Sequence, residues 1–446
     1  MGERLFGTDG VRGVANQELT PLLAYRLGRA GAHVLSKNKH KPTIVVGRDT
    51  RISGDMLEAA LVAGICSTGA NVLKVGIVPT PAVAYLTRHF KADAGVVISA
   101  SHNPVEYNGI KFFSGEGFKL PDALEDEIEA LLQDCDSCIK SPTGPEVGRA
   151  LDEDGIRPYV EFIKSVANRD FAGLKIAIDC ANGAAYRMAP LVFRELGAQV
   201  FVVNDSPNGC NINVNCGSTN PEVISRFTKE VGADVGLSFD GDADRLIACD
   251  EKGGIVDGDH IMAICADYMK RRGTLKNDAV VATVMSNMGF EVALKNRGIK
   301  TLRTKVGDRY VLEEMLRGGY NLGGEQSGHI IFLDHNTTGD GILTAVKLLS
   351  VMVESEKPLS ELKNIMKVYP QVLVNVKVKD KAGYAENERI KKAVEKAEST
   401  LGEKGRVLVR PSGTEPLIRV MVEGEDEMTI KELASQLADV IREELS

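Results

Sequence analysis

The sequence predicts an α/β protein: three related α/β domains with mixed, mostly parallel sheets, then a smaller C-terminal α+β domain, with the active site in the central cleft. Three observations carry this. A strand–helix–strand pattern recurs three times along the chain. In each copy the third strand runs straight into a polar loop: SASHNP at 99–104, DGDADR at 240–245 and GEQSGH at 324–329. After Pro370 the pattern changes to alternating apolar and polar residues interleaved with charged helices.

Taken in order, residues 5–13 place three glycines and Arg12 among small polar residues, which fits either an anion-contacting loop or a lead-in turn. Helical periodicity follows over 19–35, with Thr20 as cap and Pro21 in the first turn. The first copy has strands starting near Thr43, Gly69 and Ala92, with a helix through 60–68. The second has strands near Leu174, Gly197 and Ala233, with a helix over 188–196. The third and weaker copy has strands near Ala279, Gly298 and Tyr320. The C-terminal part reads as strands near 372–378, 406–410 and 418–423, with helices over 387–401 and 427–445. Domain bounds are expected at 1–150, 151–257, 258–369 and 370–446.

Bulk properties narrow the function. The 446 residues, 43% hydrophobic and 26% charged, suit several soluble cores. A net charge of −8 without a long basic run argues against nucleic acid as partner, yet admits an anionic substrate in a local basic pocket. The opening MGERLFGTDG has no apolar leader and no run is long enough for a membrane span, so no membrane partner is expected. The eight cysteines are then reduced thiols and the location cytoplasmic. Cys135 and Cys138 form a CxxC with no second pair, which does not make a metal site.

Four loops carry chemistry. Ser101 and His102 follow an apolar strand, with Lys111 close behind; a hydroxyl, an imidazole and an ammonium are the parts of a nucleophile site, or of a plain polar turn. Asp240, Asp242 and Asp244 alternate just past a strand, where three carboxylates repel unless a hard cation such as Mg²⁺ joins them. An EF-hand is excluded because Arg245 stands where that loop needs glycine. Glu325, Gln326, Ser327 and His329 suit recognition of a polyol, or belong to an ordinary glycine-rich turn. Arg410, Ser412, Gly413, Thr414 and Arg419 combine charged forks, hydroxyls and an open backbone, which suits phosphate.

With FGTDGVRG at 6–13, ISASHNP at 98–104, DGDADR, GEQSGH and RPSGTEP at 410–416 in this order, the chain resembles the α-D-phosphohexomutase superfamily over essentially its whole length. The resemblance implies that Ser101 is carried as phosphoserine and that Asp240, Asp242 and Asp244 hold one Mg²⁺ against that phosphate. It places Lys111 and Arg12 beside the transferring group, Arg245 in support of the metal loop, and His102 as an auxiliary. Glu325 and Ser327 would hold sugar hydroxyls, with Lys305, Asp308 and Arg309 as a further sugar-contacting loop. Arg410, Ser412, Gly413, Thr414 and Arg419 would clamp the phosphate that does not react. The implied reaction interconverts glucosamine 6-phosphate and glucosamine 1-phosphate, with a sugar bisphosphate as primer and intermediate. The partner is a phosphorylated hexosamine, and a homodimer is compatible with the sequence. Gln326 and Ser99 resemble the hexosamine branch; the alternatives are the glucose- and mannose-phosphate branches, a metal-dependent sugar phosphatase, or a non-catalytic sugar-phosphate sensor.

Overall fold

In the computed structural model, residues 4–7, 9–36, 41–132, 138–379, 382–411 and 417–445 are described. They fall into two compact units, 1–285 with 299–365, and 286–298 with 366–446.

The larger unit holds three sheets. The first contains β1 (Val11–Val14), β2 (Thr43–Arg48), β3 (Asn71–Ile77), β4 (Ala94–Ile98), β5 (Tyr107–Ser114) and β6 (Ala150–Asp152), in the order β1-β5-β4-β2-β3-β6. The second contains β7 (Lys175–Asp179), β8 (Gln199–Val203), β9 (Val235–Phe239), β10 (Leu246–Asp250) and β11 (Ile255–Val256), in the order β11-β10-β9-β7-β8. The third contains β12 (Ala279–Thr283), β13 (Lys300–Thr304), β14 (Leu322–Gly324) and β15 (Ile330–Phe332), in the order β13-β12-β14-β15.

One topology underlies all three. In each, the first strand (β2, β7, β12) lies between two parallel partners, and the last of those is followed by an antiparallel return strand. The loops expected to carry chemistry therefore follow β4, β9 and β14 and lead into β5, β10 and β15. The return strands are what the sequence reading lacked: residues 107–114 read as the tail of a loop, because Asn108, Gly109 and Lys111 interrupt their apolar pattern. The wholly buried β4, β9 and β12 match the near-continuous apolar runs expected of sheets covered on both faces. β6 carries the first sheet past the expected boundary at 150.

Helix ends follow local chemistry. The helix Pro21–Leu35 starts on Thr20, whose hydroxyl accepts the Leu23 amide at 3.2 Å. Gly258–Arg271 starts on Asp257, which accepts the His260 amide at 3.1 Å. Gly341–Ser355 starts on Asp340, which accepts the Leu343 amide at 3.0 Å.

The smaller unit is an antiparallel sheet of β16 (Gln371–Lys377), β17 (Gly405–Pro411) and β18 (Leu417–Gly424), ordered β16-β18-β17. The helices Glu388–Leu401 and Glu427–Leu445 cover it, and Ile418, Val420, Val422, Ile430 and Ile441 form its core. Residues 286–298 group with it: the Met288 amide donates to Glu423 at 2.8 Å and Asn287 Nδ2 to the Tyr369 carbonyl at 3.0 Å.

Candidate active site

Ser101 sits at the end of the buried strand β4 and is itself 1% exposed. Its φ of 49° lies in the left-handed region, strained for a residue with a Cβ. The surroundings hold it there. Arg51, fully buried, donates through Nη2 to the carbonyls of Ser101 (2.9 Å) and Asn103 (2.8 Å) and through Nη1 to that of Pro104 (2.6 Å). Its Nε pairs with Asp49 at 3.0 Å. Asp49 also accepts the Ser99 hydroxyl at 2.6 Å, and Ser99 Oγ accepts the Ser101 amide at 3.0 Å. From the second sheet's side, Asn213 Nδ2 donates to the Ser101 carbonyl at 2.9 Å. Gly241 permits the close approach, since a Cβ there would stand 2.5 Å from that carbonyl oxygen. The Asp49–Arg51 pair escaped the sequence reading; two charges flanking Thr50 at a strand end are the signal that it holds.

The Ser101 hydroxyl donates to Asp240 Oδ2 at 2.6 Å and lies 3.3 Å from His102 Nδ1. Burial, then Arg245 and Arg12, push the His102 imidazole down to about 4, so it is neutral near pH 7. Asp240, Asp242 and Asp244 are all buried, and each offers a carboxylate oxygen within 4.8 Å of the others. Burial and the neighbouring carboxylates push Asp240 and Asp244 up. Asp242 is held well below the usual carboxylate range: against burial, Lys111 Nζ approaches to 3.0 Å and Thr80 Oγ1 donates at 2.7 Å. Among the described residues, Asp242 Oδ1 and Asp244 Oδ1 have no hydrogen-bond partner. Two orphaned buried oxygens in a cluster of three carboxylates fit a hard divalent cation, which would take up both the lone pairs and the excess charge.

Lys111, 2% exposed, reaches Asp242 and, at 2.8 Å, Asp9. Against burial, these two carboxylates raise its pKa, which keeps it an ammonium. Arg12 pairs with Asp9 as well. Asp9 continues to Lys119 at 2.5 Å, and Lys119 in turn pairs with Asp308. The His329 ring lies 3.4 Å from Asp308 and 3.8 Å from Asp244. An ionic chain thus ties the loops of the first, second and third sheets together. Backbone contacts add to it: Leu246 N donates to Gly328 O at 3.0 Å, and Thr80 N to Asp242 O at 3.0 Å. Asp9, which lies within the 6–13 motif but received no role of its own, and Lys119, which no motif marks, are further residues that sequence reasoning passed over.

Arg245 lies beside the carboxylates, its Nε 3.8 Å from Asp244 and its amide donating to Asp240 at 3.2 Å. Glu325 accepts the Gly307 amide at 3.1 Å, while Ser327 is exposed. Lys305 is exposed, with its ammonium 6.0 Å from the Tyr310 ring centre. Arg309 pairs through Nη1 with Asp122 at 2.5 Å and through Nε with Glu313 at 3.1 Å. In the smaller unit, Arg410 and Arg419 face each other across the β17–β18 ladder. Burial, then Arg419, lower the Arg410 pKa, the mark of a place that favours an anion. Ser412, Gly413 and Thr414 lie outside the described residues, as does Cys135. The other cysteines are free thiols. No helix among the described residues is long and apolar enough to cross a membrane.

Models of phosphoglucomutase/phosphomannomutase domains match four successive segments: α/β/α domain I over 3–137, domain II over 157–254, domain III over 257–369 and the C-terminal domain over 373–440. The chain is 62% identical over 446 residues to the phosphoglucosamine mutase of Caldanaerobacter subterraneus subsp. tengcongensis, covering 99% of this chain and 100% of the relative. It is 62% identical over 441 residues to that of Clostridium acetobutylicum, covering 98% of each. A phosphoglucomutase/phosphomannomutase family protein from Burkholderia thailandensis has the same fold, with a TM-score of 0.83 at 23% identity over 99% of this chain and 98% of that one. Aspergillus fumigatus N-acetylphosphoglucosamine mutase, solved in complex with GlcNAc-6P and magnesium, shares it at a TM-score of 0.70 and 18% identity, over 99% and 96%.

Proposed function

Since the chain belongs to the phosphoglucomutase/phosphomannomutase family, we propose that it interconverts glucosamine 6-phosphate and glucosamine 1-phosphate by passing a phosphoryl group through Ser101. It is an isomerase of the phosphohexomutase type. The observation that carries the chemical reading is the Ser101 hydroxyl 2.6 Å from Asp240, in a buried cluster of three aspartates that Lys111 joins through Asp242 at 3.0 Å.

In this reading Ser101 rests as phosphoserine. The bond between phosphorus and Ser101 Oγ breaks as one forms to a sugar hydroxyl, whose proton ends on Ser101 Oγ, giving a sugar bisphosphate and a free serine. The second half-reaction returns the other phosphate to Ser101 and releases the isomer. Asp240, Asp242 and Asp244, with the Ser101 phosphate, are the groups that would hold Mg²⁺, which when bound supplies positive charge against the phosphoryl oxygens. Lys111 and Arg12 add fixed positive charge at the same place, and Arg245 flanks the carboxylates. Lys111 acts as charge rather than base, because two carboxylates hold its proton. His102 is a neutral hydrogen-bond partner of Ser101. Glu325 and Ser327 orient the sugar, with Lys305, Asp308 and Arg309 beside them. The 410–419 region takes the phosphate that is not reacting. A cytoplasmic location and the division near 150, 257 and 369 belong to the same proposal.

Specificity constants on glucosamine 1-phosphate, glucose 1-phosphate and mannose 1-phosphate test the substrate. Highest turnover on the glucose ester would overturn the hexosamine assignment. Intact-mass measurement tests the mechanism: one phosphate on Ser101 that exchanges with labelled substrate is expected. Stoichiometric release of inorganic phosphate would instead make the protein a phosphatase.

A further inference from the structure

Two helices begin at the loops described above and lead away from them. Gly258–Arg271 begins where the Gly258 amide donates to Gln326 O at 3.0 Å, and Gly341–Ser355 begins where the Gly341 amide donates to Ala243 O at 3.0 Å. Their later turns line a separate cavity of about 330 Å³ in the larger unit. Met269, Phe332 and Val351 give it apolar walls, and Tyr268 gives it an aromatic one.

The charges around the cavity are unevenly satisfied. Asp334 is paired with Lys276 at 2.5 Å and with Asn321 at 2.6 Å. Glu354 accepts Asn168 at 2.7 Å and attracts Arg272 at 3.8 Å, while Arg272 also lies 5.9 Å from the Tyr268 ring centre. His335 is neutral near pH 7, since burial and then Lys347 push it down to about 4. Lys347 is different. Among the described residues its ammonium has one hydrogen bond, a long one of 3.4 Å to the Val166 carbonyl, and no carboxylate within ion-pair distance. Burial lowers its pKa accordingly. A half-buried ammonium with unused donors, in a cavity whose walls mix apolar side chains with Asn168, Thr274, Asn321 and Ser350 and whose carboxylates stand beyond ion-pair distance, has room for a directly paired anion.

We propose that this cavity binds a small amphipathic monoanion, a carboxylate on an aromatic or short aliphatic body, with the Lys347 ammonium as its counter-ion. The volume is at the lower end of the roughly 300–1,000 Å³ found for small-molecule sites. A single unsatisfied cation suits one negative charge, and the nearby Asp334 and Glu354 disfavour a dianion such as a sugar phosphate. The proposal does not rest on the mutase reading.

The probe is 2-naphthoate, titrated calorimetrically into the full chain, with uncharged 2-naphthalenemethanol alongside. Saturable one-to-one binding of naphthoate is expected, and the alcohol should bind at least about tenfold more weakly. K347M should lose about tenfold or more in affinity and K347R should recover most of it, while V351W, which fills the cavity, should abolish binding. K347M should keep wild-type mutase turnover, which shows that it folds. No saturable heat at millimolar naphthoate, equal binding of the alcohol, or K347M binding as tightly as wild type would each overturn the proposal.

Discussion

The loops after β4 and β14 hold equivalent positions in two copies of one topology, yet they are built in opposite ways. Around Ser101 the backbone is held from several directions: Arg51 serves the carbonyls of Ser101, Asn103 and Pro104, and Asn213 doubles the first two, deep in the protein. Around Ser327 the side chain faces solvent, and Glu325 has the Gly307 amide as its partner. The difference separates two tasks. In the proposed mechanism Ser101 exchanges covalent bonds and must be fixed to within a fraction of an ångström. The groups that recognise hydroxyls must stay reachable by a ligand that enters and leaves.

Substitutions test that contrast, beginning where the effect is largest. S101A should lower mutase turnover by more than about 10³-fold, because the covalent carrier is gone. Its thermal unfolding should shift little, since what it loses is one hydroxyl with its contacts to Asp240 and His102. Retained turnover in a coupled assay would remove Ser101 from the chemistry. Dialysis against a chelator should abolish turnover almost as completely, and Mg²⁺ should restore it. R51M should cost about 3–5 kcal/mol in denaturant unfolding, because Asp49 is left as a buried unpaired charge. It should also cut kcat by roughly 10–100-fold as the Ser101 backbone loosens. An effect on stability without one on kcat would mean that the cage is purely structural. E325A should be mildest, raising KM by about tenfold with a smaller change in kcat and near-normal unfolding. If E325A instead behaved like R51M, the two loops would not be divided as described.

How far these loops could be read from the sequence follows the same division. Ser101, the three aspartates and the Glu325 turn were legible because each lies in an unbroken polar run behind an apolar strand. The threefold strand–helix order and the C-terminal α+β texture were legible for the same reason, since periodicity is local. What was not legible depends on partners far along the chain. Arg51 meets Ser101 50 positions away, and Lys119 meets Asp308 189 positions away. Each partner alone looks like an ordinary charged residue. The return strand β5 was hidden because Asn108, Gly109 and Lys111 break its apolar pattern, and β10 and β15 because each is a short buried run directly behind a polar loop.

The cage around Ser101 has a consequence for the whole catalytic cycle. If Ser101 carries the phosphoryl group as proposed, a carrier that cannot move leaves the turning to the cargo, and a sugar bisphosphate would have to tumble end over end beside a stationary post. Throughput then becomes a race between recapture and escape. On that mechanism each escape would strand a protein without its phosphate, idle until another bisphosphate finds it. The enzyme's readiness is thus stored in a dissolved molecule, and dilution can erase it.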